Sequence, residues 1–219
     1  MAQHFDFLII GAGISGIGAA CHLRQQFADS SLAILEAMDG FGGTWWTHRY
    51  PGARSDSDLF TYGYSFKPWR GHAIATADEI RNYMAEVIDE NGLAPLIRYG
   101  HHVQAARWSS DDKRWTLEVT RKGSDEVLTF TTNFLWVCAG YYDHGQGYTP
   151  EWPTLKDFQG QVIHPQHWPQ DLDYAGKRIV VIGSGATAAT LIPNLAGDAG
   201  HVTMLQRSPT FFLPAQEHP

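Results

Sequence analysis

The sequence predicts an α/β fold, and three observations carry the prediction. First, the apolar run Phe5 to Ile10 meets a glycine cluster at Gly11, a small-residue helical pattern follows to about Phe27, and Leu32 to Leu35 forms a second apolar run. Second, the same order returns near the end of the chain: Arg178 to Ile182, a turn at Gly183, a helix over Thr187 to Leu195, and Val202 to Leu205. Each is a βαβ opening of a parallel sheet with glycines at the strand-to-helix turn. Third, Val103 to Trp108, Trp115 to Thr120 and Val127 to Thr131 alternate in polarity between turn-forming Ser, Asp and Gly, the pattern of a three-stranded β-meander.

The segments between these follow local rules. Thr76 and Glu79 make a capping box, and Ile80, Tyr83, Met84, Val87 and Ile88 recur at helical spacing until Gly92 stops the helix. Phe134 to Ala139 is a continuous apolar run, predicting a strand covered on both faces. Tyr141 to Gly176, rich in Pro, Gly, Tyr, Trp and His, reads as a long shaped linker.

With 219 residues, 43% of them apolar, the chain can bury a substantial core. A formal charge of -7 and a pI near 5.8 argue against a general affinity for nucleic acid or anionic lipid. Small-molecule partners are expected instead. Cys21 and Cys138 form no CxxC, so neither a disulfide framework nor a redox dithiol is indicated, which sets aside a flavin disulfide reductase. The apolar stretch Phe7 to Leu23 lacks a basic n-region and carries glycines where a spanning helix needs bulk, so neither a leader nor a membrane span is expected, and the location reads as cytoplasmic.

Gly11, Gly13 and Gly16, with Ser15 among them, form GxGxxG after a strand. Those glycines allow a tight turn, backbone approach to a pyrophosphate and close helix packing. Glu36 ends the next strand twenty residues beyond Gly16, where a carboxylate binds ribose hydroxyls. The second turn reads Gly183, Ser184, Gly185, Ala186, Thr187, Ala188, with alanine at the packing position. There the position matching Glu36 is Gln206, followed by Arg207 and Ser208, a cation and a hydroxyl that suit a 2′-phosphate. The residues therefore predict an ADP moiety with free ribose hydroxyls, such as that of FAD, at the first turn and NADP at the second.

Two further segments resemble a known family. Gly43 to Asp56 matches GxWxxxx(F/Y)PGxxxD, and Phe158 to Pro169 matches FxGxxxHxxxWP, both without a gap. These are signatures of the Baeyer-Villiger monooxygenases, which are class B flavoprotein monooxygenases. The segments at 55–69, 164–188 and 203–209 look like the ethionamide-activating branch. Flavin-containing monooxygenases that oxidise nitrogen and sulfur usually end the linker motif in tyrosine, so Trp168 and Pro169 favour the Baeyer-Villiger side.

The resemblance implies a Rossmann-like FAD-binding domain over 1–145, a linker over 146–176 and the beginning of a second Rossmann-like, NADP-binding domain over 177–219. The chain would then be truncated, corresponding to the N-terminal part of the family. It implies that Trp45, Asp56 and Tyr62 lie along the flavin, Thr44 near its ribityl or phosphate portion, and the Val103 backbone near the adenine, with Ser55 also a cofactor-binding residue. Asp56 is the expected catalytic carboxylate, buried and paired, unless it and Asp58 only cap a turn or helix start. Arg54 is expected to contact NADP, and His164 and Trp168 to shape the linker; no metal is expected, because no Cys or carboxylate cluster completes a ligand set.

The implied reaction uses NADPH, FAD and O2 to insert oxygen into a ketone through a flavin C4a-peroxide, giving an ester or lactone, or to oxidise a thioether. An active-site arginine would lie beyond Pro219. The alternative from another class is an FAD- and NADP-binding module, inactive until a C-terminal half in the same or a second chain completes it.

Overall fold

The computed structural model describes residues 2–211. In chain order the elements are β1 (Gln3–Ile10), α1 (Ile14–Gln26), β2 (Leu32–Leu35), α2 (Thr44–Thr47), α3 (Leu59–Tyr62), α4 (Ala77–Glu90), β3 (Ile97–Arg98), β4 (His101–Ser109), β5 (Arg114–Arg121), β6 (Val127–Val137), β7 (Arg178–Ile182), α5 (Ala186–Leu195) and β8 (His201–Leu205). They fall into two compact units, one built from the residues up to Trp46 with Arg81–Tyr141, the other from Thr47–Ile80 with the chain from Tyr142. Among the described residues no helix is long and apolar enough to cross a membrane.

The first unit is organised by a sheet of order β3-β2-β1-β6-β5-β4, in which β1 runs parallel to β2 and β6 and the β4–β5–β6 pairs are antiparallel. The expected α/β fold with its meander is therefore present. Phe5, Leu8, Ala33, Leu35, Leu117, Val119 and Phe130 bury together in one apolar cluster. Arg98 lies across the rings of Phe5 and Phe130, 4.9 and 5.4 Å from their centroids. Helix α1 buries Gly16 through Cys21 because its side chains are small, letting the helix lie close on the sheet.

Two expectations need correction. Val127 to Thr131 and the run from Phe134 join in one strand, β6, which ends at Val137 and pairs antiparallel with β5 at its start and parallel with β1 along the rest. The polar Thr131-Thr132-Asn133 stretch resembles a break. Its polarity is absorbed, however, because the fully buried Thr132 hydroxyl sits 3.0 Å from the Asp6 carbonyl and 2.9 Å from that of Phe134, and Asn133 donates to the Asp6 carboxylate. Nor is the late part of β6 covered on both faces: Phe134, Trp136 and Val137 are exposed, with Phe134 tilted against Phe7. The two-residue β3 and the single-turn α3 are too short to carry a period and have no counterpart in the sequence reading.

The second unit holds β7 and β8, parallel from Arg178↔His201 to Ile182↔Leu205 with α5 between them. A strap over residues 50–59 pairs with the segment entering α4. Ser55 N–H donates to the Ala75 carbonyl (2.9 Å), Ala77 N–H to that of Ala53 (2.8 Å) and Leu59 N–H to that of Ala73 (2.7 Å). The linker carries two short 3-10 turns, Leu155–Asp157 and Pro165–His167.

Candidate nucleotide-binding site

The first glycine turn is built so that no side chain fits at Gly11 or Gly16. Gly11 adopts φ +97°, and a Cβ there would sit 2.5 Å from the Cys138 carbonyl oxygen at the end of β6. A Cβ on Gly16 would collide with the Gly11 carbonyl oxygen, so α1 rests directly on the turn. Gly13 has ordinary room, its nearest neighbour being the Gly43 Cα at 3.8 Å. It is the N-cap of α1, where the positive end of the helix meets the turn. Ser15 is exposed in that first turn.

Glu36 is 4% exposed. Its Oε2 accepts the Ala12 N–H at 2.7 Å and its Oε1 the Met38 N–H at 2.8 Å. The carboxylate thus ties the glycine turn to the end of β2, and each oxygen keeps a lone pair for a further donor. Burial pushes its pKa up, opposed by the backbone donors at Ala12, Met38 and Ala37. A second glycine pair closes on the turn: Gly42 N–H donates to the Ala12 carbonyl at 2.9 Å, and Gly42 and Gly43 both take positive φ. Thr44 opens α2 and Trp45 follows it, half-buried, while Trp46 packs over Gly40 and under the Arg81 guanidinium, 4.9 Å from its ring centroid. The sheet curls so that His101 N–H reaches the Glu36 carbonyl at 2.8 Å, which brings the start of β4, and Val103 two residues on, to the end of β2. The structure therefore gathers Gly11, Gly13, Ser15, Gly16, Glu36, Thr44, Trp45 and Val103 in one unit.

The second unit repeats the wiring. Gly183 N–H donates to the Leu205 carbonyl at 2.8 Å as Gly11 N–H does to that of Leu35, and Gly183 also has positive φ (+124°). Gly185 is the N-cap of α5, and Ala188 is buried at the packing position. Ser184 Oγ lies 2.6 Å from Thr210 Oγ1. Arg207 and Ser208 are exposed just beyond β8.

In the strap, Ser55 rather than Asp56 is buried: its hydroxyl donates to the Ser57 carbonyl at 2.7 Å, and it is 4% exposed. Asp56 is exposed, which corrects the expectation of a buried acid; the tight Ser55–Ser57 bend turns its side chain outward. Asp58 caps α3 through Thr61 N–H at 2.8 Å. Arg54 is exposed on the bridge to Thr76, and Tyr62 is half-buried at the end of α3.

Sequence reasoning passed over a histidine cluster around the linker. Thr47 Oγ1 lies 3.3 Å from His48 Nδ1 and 3.2 Å from His144 Nδ1, and the His48 ring tilts against Tyr142. His164 caps the turn Pro165–His167 by accepting Gln166 N–H, while the Gln166 side chain donates to the Asp143 carbonyl at 2.6 Å. Trp168 packs edge-on against Tyr174. Burial and then the neighbouring His48 hold His144 below the ordinary imidazole value of 6.5, with Asp143 opposing. Burial, His167 and His48 do the same to His164, opposed by a hydrogen bond with the Tyr148 backbone. For a base whose folded pKa is depressed, stability is full above the unfolded value and falls as the pH drops below it, until the folded value is passed. Hydrogen-exchange protection over 142–168, taken against the intrinsic exchange rate at each pH, is therefore expected to fall as the pH drops below about 6.5, and a His144→Gln, His164→Gln double variant to flatten that response.

The geometry defines a class: an α/β protein with two strand-glycine turn-helix units of like wiring. The model of a family described as flavin-binding monooxygenase-like matches residues 72–217, and that of an NAD(P)-binding Rossmann-like domain matches 9–86. The chain belongs to the flavin-binding monooxygenase-like family. It is 55% identical to FAD-containing monooxygenase EthA of Mycolicibacterium smegmatis over 96% of this chain and 43% of that protein. It is 52% identical to the putative FAD-containing monooxygenase MymA of Mycobacterium tuberculosis over 98% of this chain and 45% of that one. The chain thus spans less than half the length of the curated relatives it matches. Among solved structures, an oxidized steroid monooxygenase bound to NADP superimposes with TM-score 0.85 at 34% identity, covering 97% of this chain and 40% of that one. Cyclohexanone monooxygenase from Rhodococcus sp. Phi1 bound to NADP+ gives TM-score 0.85 at 30% identity, over 100% and 41%.

Proposed function

We propose that the chain is the cofactor-binding part of an FAD- and NADPH-dependent monooxygenase of Baeyer-Villiger type, one that uses O2 to turn a ketone into an ester or lactone and also accepts thioethers. The observation that carries this reading is the pair of like-wired glycine turns with unlike ribose ends, Glu36 after the first and Gln206, Arg207 and Ser208 after the second. When bound, the flavin supplies the oxygen-activating chemistry and NADPH the hydride.

The residues of this chain bind and orient. The N-terminus of α1 holds the FAD pyrophosphate, and Glu36 accepts ribose hydroxyls with its remaining lone pairs. Ribose donation favours the ionised carboxylate, so FAD binds more tightly as the pH rises through the raised pKa of Glu36. Thr44, Trp45, Tyr62 and the Val103 backbone are assigned to the flavin cofactor, with Asp56 the acid that meets it. Gly183 to Ala188 hold the NADP pyrophosphate, Arg207 and Ser208 its 2′-phosphate, and Arg54 a further contact. His164 and Trp168 shape the linker, and the Trp168-Pro169 ending favours a ketone over nitrogen or sulfur as the main substrate.

The test is to titrate the 219-residue chain with FAD by flavin fluorescence and with NADP+ by calorimetry. The chain is then joined to the C-terminal half of a mycobacterial relative, and NADPH oxidation is followed with ketones and thioethers. Binding of both nucleotides and ester formation by the joined chain are expected. Absence of nucleotide binding overturns the cofactor assignment, and turnover of thioethers alone overturns the ketone.

A further inference from the structure

The loop that joins β2 to α2 closes on the first glycine turn, yet its own backbone gives it little rigidity. Gly42 N–H donates to the Ala12 carbonyl at 2.9 Å, and a Cβ on Gly43 would come within 3.3 Å of the Gly13 Cα. Both loop glycines take positive φ, +123° and +55°, and two glycines in a row leave the unfolded chain unusual freedom. The helix that follows, α2, is four residues long, too short to be stable by itself. The shape of this segment must therefore come from packing.

Trp46 and Arg81 supply that packing. The six-membered ring of the Trp46 indole fills the place that a Gly40 side chain would occupy. The Arg81 guanidinium carbon stands 4.9 Å from the centroid of the Trp46 ring, a cation–π contact, and Arg81 Cγ is 3.4 Å from where a Gly42 Cβ would be. One side chain thus touches both the loop at Gly42 and the indole that backs Gly40, and both glycines are buried. Arg81 projects from α4, a helix of 14 residues whose Tyr83, Met84 and Val87 are buried, so its base is firm. Trp45 N–H donates to the Gly42 carbonyl at 3.1 Å and Trp46 N–H to that of Gly43 at 3.0 Å. The loop therefore passes its position directly to the turn that carries Thr44 and Trp45.

We propose that Arg81 is a positioning residue for the first nucleotide site: through Trp46 and Gly42 it clamps the 40–43 loop on the glycine turn, and so sets where Thr44 and Trp45 meet the flavin. This rests on the reading of Gly11 to Gly16 with Glu36 as the FAD site. Loss of the clamp is expected to weaken FAD binding by about three- to tenfold, in the range of a partly desolvated cation–π contact.

The experiment uses the full chain with Arg81→Met, Arg81→Lys, Trp46→Leu and the double variant Arg81→Met, Trp46→Leu. Flavin fluorescence reads FAD affinity, visible circular dichroism reads the setting of the bound flavin, and chemical unfolding without FAD reads stability. Arg81→Met is expected to bind FAD more weakly and with altered dichroism. Arg81→Lys, which keeps a cation over the ring, is expected to recover part of both, and the double variant to bind no more weakly than Trp46→Leu. Unchanged affinity and dichroism in Arg81→Met overturn the inference and leave the FAD site standing. Losses that add in the double variant overturn it as well, because the two side chains would then act separately. Should Trp46→Leu unfold, the comparison of Arg81→Met with Arg81→Lys decides: recovery supports the inference, and equal losses overturn it. If the parent chain does not bind FAD, the reading of the first turn fails and takes the inference with it.

Discussion

Gly16→Val is expected to destabilise the first unit by about 3 kcal/mol or more and to abolish FAD binding. The Cβ at this position meets the carbonyl oxygen of Gly11, which cannot swing aside because its own turn is held by the bond from Gly11 N–H to the Leu35 carbonyl (2.8 Å) and is wedged against Cys138. The only relief is for α1 to lift from β1, which opens the apolar contact that Ile17, Ala20 and Cys21 make. Gly13→Ala is the matched control. Its Cβ has ordinary room against Gly43 and its backbone is extended, so stability is expected to change by no more than about 0.5 kcal/mol while FAD binding weakens, because the added methyl stands where the pyrophosphate approaches. Chemical unfolding read beside a flavin fluorescence titration separates the two effects. Equal stability of Gly16→Val and the parent would falsify the packing role.

Glu36→Leu is expected to cost about 3 kcal/mol at neutral pH. The buried N–H groups of Ala12 and Met38 lose their acceptors, and each orphaned buried donor costs roughly 1–3 kcal/mol. The same residue shapes the response to pH. A carboxyl whose folded pKa is raised contributes stability that is fully present below its unfolded value, ordinarily 4.5, and lost as the pH rises through the folded value. The parent chain is thus expected to lose stability as pH climbs from about 4.5 through that raised value, and the leucine variant to lack this component. Unfolding curves across that range read it directly. A slope of the same size in both proteins rules out Glu36 as its source.

Much of this was legible in the chain. The two βαβ openings show because their signals are local: a run of apolar residues, glycines at fixed offsets, a capping box at Thr76 and Glu79. In that box, Thr76 N–H and hydroxyl both donate to Glu79 Oε2 at 2.8 Å. Glu36 was placed by counting residues from a glycine. Its bond to Ala12 was not legible, because it depends on β1 and β2 lying in register across 24 residues of sequence. The continuity of β6 was hidden for the opposite reason, since Thr132 looks local and polar and finds its acceptor only on β1. Asp56 lies exposed where a buried acid was expected, because a bend of three residues decides which side chain faces inward and turns Ser55 in.

The amino-acid sequence by itself determined the fold class, the glycine turns and the difference between their ribose ends, for these rest on residue identity at short, fixed spacing. Tertiary structure alone decided that Gly52 lies against Asn194 of α5, that the linker gathers His48, His144 and His164 round Thr47 and Gln166, and that β6 runs on through Thr132 without a break. Those contacts join residues up to 142 positions apart. No local pattern encodes them, because they arise only when separately folded pieces are packed and each buried polar group must find a partner.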